Sequence, residues 1–79
     1  MKSWSVYIVE CVDGSFYTGI TEDIDNRLRV HNAGKGAKYT RGRRPVILRY
    51  VEKMAGKSEA LKRENEIKGL KKSQKMRLW

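Results

Sequence analysis

Four side chains suited to proton transfer and anion binding lie close together in the first part of the chain. They are Tyr7, Tyr17, Arg27 and His31, all within a stretch of 25 residues. A phenol or an imidazole can exchange protons with a water, and a guanidinium can hold an anion through several hydrogen bonds. None of the four is an obvious core residue, so we expect them to share a site if the fold brings them together.

A fifth candidate, Glu64, lies far downstream on a predicted helix. We expect one stripe of this helix to face the protein, since apolar residues recur in it at helical spacing. A carboxylate on such a stripe must be paired or bind a metal, because burying an unpaired charge is very unfavourable. The pattern leaves two interpretations open, a salt bridge to an arginine such as Arg27 or a metal ligand. The stripe consists of Ala60, Leu61, Glu64 and Ile67.

The two tyrosines belong to a predicted β-hairpin, and the length of its turn decides which faces they occupy. Residues 3–12 and 16–21 have strand-like patterns, and Asp-Gly-Ser between them signals a turn. A two-residue turn would pair Glu10 with Tyr17 and separate the tyrosines. A three-residue turn pairs Cys11 with Tyr17 and groups the apolar residues better, so we expect both tyrosines on the face opposite the core. The predicted core face comprises Val6, Ile8, Val12, Phe16, Thr18 and Ile20.

A first helix is predicted to follow the hairpin directly. It begins in the acidic cluster of residues 22–25, runs to about His31 or Asn32 and stops before Ala33-Gly34. Ile24 and Leu28 form its inner stripe, and Arg27 lies with His31 on the neighbouring face, four residues apart. Its candidate N-caps are Thr21 and Asp23.

The second half of the chain predicts one more strand and two more helices. Residues 46–52 are β-branched and apolar enough for a third strand, and residues 59–68 form a helix capped by Ser58 and closed by Gly69. A last short helix starts near Ser73. The predicted fold is therefore α+β, with a small three-stranded antiparallel sheet flanked by helices in the order β-β-α-β-α and a short C-terminal helix. We expect all 79 residues to form a single domain.

A glycine-rich basic segment, residues 34–44 (GKGAKYTRGRR), is predicted as a loop. It carries five positive charges in ten residues with a tyrosine among them. Such charges neutralise phosphates, and an aromatic ring can stack on a base or a sugar. The alternative is a solvated loop whose charge only aids solubility. The expected nucleic-acid-binding residues are Lys35, Lys38, Tyr39, Arg41, Arg43 and Arg44.

The charge distribution indicates the class of partner. Of a net charge of +9, residues 1–25 hold one lysine against five acidic side chains, whereas residues 26–79 hold 17 basic and 4 acidic ones. This asymmetry favours a polyanion, with nucleic acid as the first candidate. The lone Cys11 excludes a disulfide framework and favours a reducing compartment. Neither a signal segment nor an apolar run of about 18 residues occurs, so we expect a cytoplasmic protein that does not enter membranes.

The order and spacing of these residues resemble those of the GIY-YIG nuclease superfamily. Residues 7–9 (YIV) and 17–19 (YTG) are similar to the two half-motifs that name it. Arg27 matches the arginine of the following helix, and Glu64 matches the glutamate of a later one. The resemblance covers nearly the whole chain and is greatest to small single-domain bacterial members. Two positions depart from the motif: Val6 replaces its first glycine and Thr18 its second isoleucine.

This resemblance implies hydrolysis of a phosphodiester bond in DNA with one divalent cation, Mg²⁺ or Mn²⁺. Arg27 would stabilise the phosphate, and Glu64 would bind the metal, since Mg²⁺ in proteins often has only one or two carboxylate ligands. Tyr17 and Tyr7 are the implied base and proton relay. A phenol, whose pKa is ordinarily about 10, is a poor base at neutral pH, so His31 is a competing candidate.

Two other functions are compatible with the sequence. A module of the same fold could bind nucleic acid, RNA included, without catalysis, and a basic structural protein could bind an acidic partner. The nuclease is favoured because binding alone needs no inward carboxylate. Superfamily members commonly carry a second, targeting domain, for which 79 residues leave no room, so we expect cleavage to be weak or unspecific, or to depend on an unidentified protein partner.

Overall fold

The computed structural model describes residues 3–79, and its architecture is the predicted α+β fold. Three antiparallel strands form one sheet in the order β2-β1-β3, and helices pack against it. One element was not predicted: a short helix, α2, lies inside the segment expected to be a loop. The elements are β1 (Trp4–Glu10), β2 (Phe16–Thr21), α1 (Ile24–Asn32), α2 (Lys38–Arg41), β3 (Ile47–Met54), α3 (Lys57–Lys68) and α4 (Lys72–Met76).

The hairpin of β1 and β2 has a longer loop than predicted. Tyr17 pairs with Val9 rather than with Cys11, so the predicted register is wrong by two residues. The loop closes through hydrogen bonds from the Cys11 N–H to the Ser15 carbonyl (2.8 Å) and from the Gly14 N–H to the Cys11 carbonyl (2.9 Å), with Gly14 at φ +84°. A shift of two residues leaves every side chain within the observed strands on its predicted face, because strand side chains alternate with a period of two.

Val12 is the residue that the longer loop displaces from the expected core. It lies in the loop with 64% of its surface exposed, so its assignment to the core face was wrong. Its N–H donates to the carbonyl of Arg43 at 3.0 Å, which joins the hairpin loop to the segment after α2.

The sheet is covered on both faces, and this changes the environment of the tyrosines. On one face Val6 and Ile8 pack against Ala60 and Ile67 of α3. The tyrosines lie on the opposite face, as predicted, but a second cluster forms there. Tyr7 is only 1% exposed, so the expectation that it is not a core residue was wrong. This second cluster comprises Tyr7, Val9, Cys11 and Val46, with Tyr17, Ile24, Leu28 and Leu48 packed around it.

Helix α1 begins and ends where local chemistry predicts. Asp23 is its N-cap, and the Asp23 carboxylate accepts from the N–H of Asn26 at 3.1 Å. At the other end Asn32 binds the backbone of Val46 twice, accepting from its N–H (2.8 Å) and donating to its carbonyl (3.3 Å). Asn32 therefore fixes the end of α1 to the start of the third strand.

Helix α3 differs from the prediction at two positions. It begins at Lys57 after an extended Gly56, so Ser58 is not its cap, whereas Gly69 does close it. Leu61 is 41% exposed, while Ala60 is fully buried. Consecutive residues point about 100° apart around a helix, so Leu61 cannot share the inward stripe with Ala60. Within residues 3–79, no helix combines the length and the apolarity needed to cross a membrane.

Candidate active site

A chain of buried hydrogen bonds links β1, α1 and α2. The hydroxyl of Tyr7 lies 2.8 Å from Nε2 of His31, and Nδ1 of His31 lies 2.8 Å from Oγ1 of Thr40. The Thr40 hydroxyl donates its proton to the carbonyl of Ala37 at 3.0 Å. Tyr7, His31 and Thr40 are all at most 1% exposed.

The directions of these hydrogen bonds follow from the last one in the series, between Thr40 and Ala37. Thr40 has a single O–H, which is given to Ala37, so Thr40 accepts from His31 and the imidazole proton sits on Nδ1. In the neutral imidazole, Nε2 then has a free lone pair and accepts the Tyr7 proton. The neutral form of His31 therefore presents its acceptor nitrogen to a phenol.

Burial acts on both members of this pair. It raises the pKa of the Tyr7 phenol and lowers the pKa of the His31 imidazole, since each charged form is poorly solvated there. The positive charge of Arg27 lowers the pKa of His31 further. Both groups are therefore uncharged at neutral pH, and a proton can move between them only when another charge compensates.

Two glycines make the space that this arrangement needs. A Cβ on Gly19, which pairs with Tyr7 across the hairpin, would lie 2.6 Å from the Tyr7 hydroxyl. A Cβ on Gly36 would overlap Nδ1 of His31. No local signal in the sequence assigned Gly36 or Thr40 to the site, because they meet His31 only through the path of residues 33–40.

Arg27 and Glu64, from two different helices, both act on the Tyr7 phenol. Burial raises the pKa of Tyr7 most, Arg27 lowers it and the charge of Glu64 raises it. The charges of Arg27 and Glu64 therefore both act on this phenol. The salt bridge considered between Arg27 and Glu64 does not form; Glu64 instead lies 3.4 Å from Nζ of Lys68.

Tyr17 is the more exposed of the two strand tyrosines. Its ring centroid lies 5.4 Å from that of His31 and 6.5 Å from that of Tyr7, so the three rings form one aromatic cluster. Tyr39 of α2 stacks on the outer side of Tyr17, with centroids 5.9 Å apart and planes inclined by 27°. The four predicted residues of the first half of the chain are thus brought together.

The side chains of Tyr39 and Arg43 already make contacts within the protein. The guanidinium of Arg43 lies 4.1 Å from the Tyr39 ring centroid, so Tyr17 and Arg43 flank that ring. Arg43 also donates to the Tyr39 carbonyl at 2.8 Å and to the Asp13 carboxylate at 3.0 Å. A base could stack on Tyr39 only by displacing one of these neighbours. The other basic side chains of the segment are exposed and make no ion pair with the described chain: Lys35, Lys38, Arg41 and Arg44.

The three-stranded sheet and its helices, which carry the two strand tyrosines, the arginine of α1 and the glutamate of α3, form the fold of a known family. The family model described as the GIY-YIG catalytic domain matches residues 3–77. A UPF0213 protein of Halobacterium salinarum is 55% identical over 74 residues, which cover 94% of this chain and 96% of that protein. A UPF0213 protein of Staphylococcus haemolyticus is 55% identical over 78 residues, which cover 99% and 95%.

Solved structures agree with this relationship. The solution NMR structure of the UPF0213 protein BH0048 from Bacillus halodurans has a TM-score of 0.60 at 49% identity, over 96% of this chain and 81% of that one. That of the protein EF2693 from E. faecalis has a TM-score of 0.67 at 46% identity, over 98% and 82%. The chain belongs to the GIY-YIG family, among its UPF0213 members. The GIY-YIG domain is that of a nuclease superfamily whose members generally use divalent metals and act on nucleic acid.

Proposed function

We propose that this protein is a metal-dependent nuclease that hydrolyses phosphodiester bonds in DNA. One arrangement carries the proposal: a neutral, buried Tyr7–His31 pair lies beside both a guanidinium and a carboxylate. These are the groups that hydrolysis needs for moving a proton, stabilising a phosphate and binding a cation. A protein that only binds nucleic acid has no use for a buried acceptor next to a lone carboxylate.

Arg27 is assigned to the phosphate. Its side chain is half-buried on α1, and within residues 3–79 no carboxylate lies within ion-pair distance of it. Its charge is therefore available to an incoming anion. A planar guanidinium can hold two phosphate oxygens and stabilise the negative charge that builds up on them during attack.

Glu64 is assigned to the metal, and its surroundings fit a single hard cation. The described residues contain no group of three His, Cys, Asp or Glu side chains able to form a complete metal cage. Mg²⁺ commonly binds one carboxylate together with waters and substrate phosphate, which this site can provide. Glu64 would exchange its contact with the half-exposed Lys68 for the cation. The bound cation would supply positive charge for the phosphate and the leaving oxygen.

The proton of the attacking water is assigned to the Tyr7–His31 pair. The water O–H bond breaks and its proton goes to the Tyr7 oxygen, while the Tyr7 proton passes to Nε2 of His31, 2.8 Å away. The water oxygen bonds to phosphorus as the bond from phosphorus to the leaving oxygen breaks, and the leaving oxygen takes a proton from solvent. The resulting imidazolium keeps its Nδ1 hydrogen bond to Thr40. Arg27 opposes this charge, which limits His31 to a transient acceptor. Tyr17, the partly exposed phenol beside His31, is the competing acceptor.

Cleavage by matched pairs of variants tests this proposal. We expect Arg27→Ala and Glu64→Gln to lower cleavage of DNA by about 10²–10³-fold, because each removes one group that stabilises the transition state. Single-stranded, duplex and branched DNA, with an RNA strand for comparison, are incubated with Mg²⁺ or Mn²⁺, and products are separated by size. A chelator should abolish cleavage in the wild type.

Two neighbouring residues provide the controls. Arg29 is exposed on α1, and the side chain of Glu66 on α3 is 66% exposed. The variants Arg29→Ala and Glu66→Gln should therefore cleave DNA like the wild type. Glu64→Gln should still bind DNA. If the wild type binds DNA but cuts none of the substrates with either metal, the nuclease proposal fails and the binding module of the same fold is supported.

A further inference from the structure

A cavity of about 480 Å³ opens at the surface where the segment after α2 meets the end of α1. None of its lining residues is acidic, and two of them are arginines. Its polar Asn32 already uses its side chain on the backbone of Val46. Arginine is therefore the only charged group that faces a ligand there. The lining residues are Asn32, Arg41, Gly42, Arg44 and Pro45.

Arg44 is held in place without being neutralised. Its Nε donates to the carbonyl of Arg41 at 2.9 Å, and its Nη1 donates to the carbonyl of Asn32 at 3.4 Å. Both acceptors are uncharged, and no carboxylate of the described chain pairs with Arg44. The remaining N–H groups of this fixed guanidinium are free to bind an anion.

The backbone beneath Arg44 is shaped to accommodate it. Gly34 follows α1 with φ +79°, and a Cβ there would lie 2.7 Å from Nη1 and 2.8 Å from Cζ of Arg44. The guanidinium thus lies directly on a glycine that leaves space for it. One hydrogen bond of Arg44 has a structural explanation, because it binds a carbonyl at the end of α1. It does not account for Arg41, a second exposed arginine at the same cavity that makes no ion pair with the described residues.

We propose that this pocket binds a backbone phosphodiester of DNA outside the point of cleavage. The proposal rests on the proposed function, because it takes DNA as the substrate. Two guanidiniums without an acidic neighbour select a phosphate, and the volume accommodates the attached sugar as well. Thr40, which binds His31, is adjacent to Arg41, so DNA held in the pocket also restrains the segment that positions the imidazole.

Binding in the absence of cleavage tests the pocket. A fluorescent eight-nucleotide single strand is titrated with full-length protein in a chelator, and its polarisation is measured at several salt concentrations. We expect Arg41→Gln with Arg44→Gln to weaken binding by at least about tenfold, because charge-assisted hydrogen bonds to the strand are removed. The logarithmic salt slope should fall by about 0.7 for each phosphate that is no longer neutralised.

The matched control for each single substitution, Arg41→Gln or Arg44→Gln, is Arg77→Gln, which removes one positive charge from an exposed arginine at the end of α4. It should weaken binding by no more than about threefold, because only diffuse charge is removed. Arg44→Lys keeps the charge but not the fork, so it should lie between the wild type and Arg44→Gln. Arg44→Lys and the single Arg41→Gln remove fewer hydrogen bonds than the double variant does. If the double variant does not fold, these two variants test whether the pocket binds DNA.

The Nε–H signal of Arg44 in an NMR spectrum locates the ligand. It should shift with the oligonucleotide at concentrations where inorganic phosphate has no effect. An equal shift with inorganic phosphate would assign the pocket to small anions and overturn the proposal, as would equal binding by the double variant and Arg77→Gln. If the wild type cuts and binds DNA normally while these pocket tests fail, only the pocket is wrong. If the wild type binds no DNA at all, the proposed function fails with it.

Discussion

At the scale of single residues, His31 is held in its neutral form by its surroundings. It has no exposed surface, its Nδ1 proton goes to Thr40 and its Nε2 accepts from Tyr7. Protonation of Nε2 would turn it from an acceptor into a donor, so the Tyr7 hydroxyl would lose its acceptor and would have to rotate to accept instead. A second positive charge would also appear near Arg27. The protonation state of His31 therefore affects both the stability of the protein and the proposed proton transfer.

We expect the free energy of unfolding to fall as the pH drops below about 6.5, the ordinary histidine pKa. The pKa of His31 is lowered in the folded protein, so the unfolded chain binds the extra proton first and acid favours unfolding. The contribution of His31 to the free energy of unfolding is fully present above this pH. Below it, the contribution decreases by at most about 1.4 kcal/mol per pH unit. Urea unfolding between pH 5.5 and 7.5 measures this dependence.

His31→Gln is the control for that measurement. The chain has a single histidine, so the variant should lose the dependence in this pH range, while its amide oxygen still accepts from Tyr7. The same slope in the wild type and the variant would show that another group is responsible.

At the scale of elements, the short helix α2 holds the aromatic cluster in place. It supplies Thr40 to His31 on its inner side and Tyr39 to Tyr17 on its outer side. Asp13 of the hairpin loop binds Arg43, which covers Tyr39. Hydrogen bonds from Ser15, and then from Arg43, hold the pKa of the Asp13 carboxyl below its usual range, so this contact persists at neutral pH. Helix α2 and the hairpin loop therefore together position His31 and Tyr17, the candidate proton acceptors.

We expect Tyr39→Ala to lower kcat by at least about tenfold with little change in KM, since α2, which supplies Thr40 to the proposed acceptor His31, would lose its stacking contact with Tyr17. Tyr39→Phe keeps the stacked ring and should behave like the wild type. Steady-state cleavage of a fluorescent DNA strand separates the two constants. A higher KM and weaker DNA binding at unchanged kcat would instead support the predicted stacking of Tyr39 on a base.

At the scale of the whole molecule, a short chain divides its apolar side chains between two faces of one sheet. Each cluster has four buried residues, and β1 contributes two of them to either side. Domains of this size are only marginally stable, at about 0.05–0.15 kcal/mol per residue. Each buried side chain therefore supplies a large part of the total stability, although only one face carries the candidate site.

We expect Ile67→Ala to lower the free energy of unfolding by about 2–5 kcal/mol, as removal of buried methyl groups does. Leu61→Ala on the same helix should cost much less, because Leu61 is 41% exposed. Denaturant unfolding gives both values. Equal destabilisation by the two substitutions would contradict the described burial.

Local signals predicted much of this molecule. Alternation in β1 and β2 predicted the faces correctly even though the register was wrong, because a shift of two residues preserves the alternation. Asp23 and Gly69 marked helix ends through hydrogen bonds to nearby backbone. Leu61 and Val12 were misplaced because hydrophobicity alone does not report which side of a helix, or which end of a strand, meets the core.

The sequence by itself determined the family, the fold class and the candidate residues of the site, since the residue types recur in order at characteristic spacing. Only the tertiary structure decided that Tyr7 and His31 are buried and bonded to each other, and that Glu64 lies beside Lys68 rather than Arg27. It also placed Gly36 and Thr40 around the imidazole and left Arg41 and Arg44 at a cavity. These contacts depend on the path of the segment between α1 and β3, which packing against the rest of the fold determines and local spacing does not.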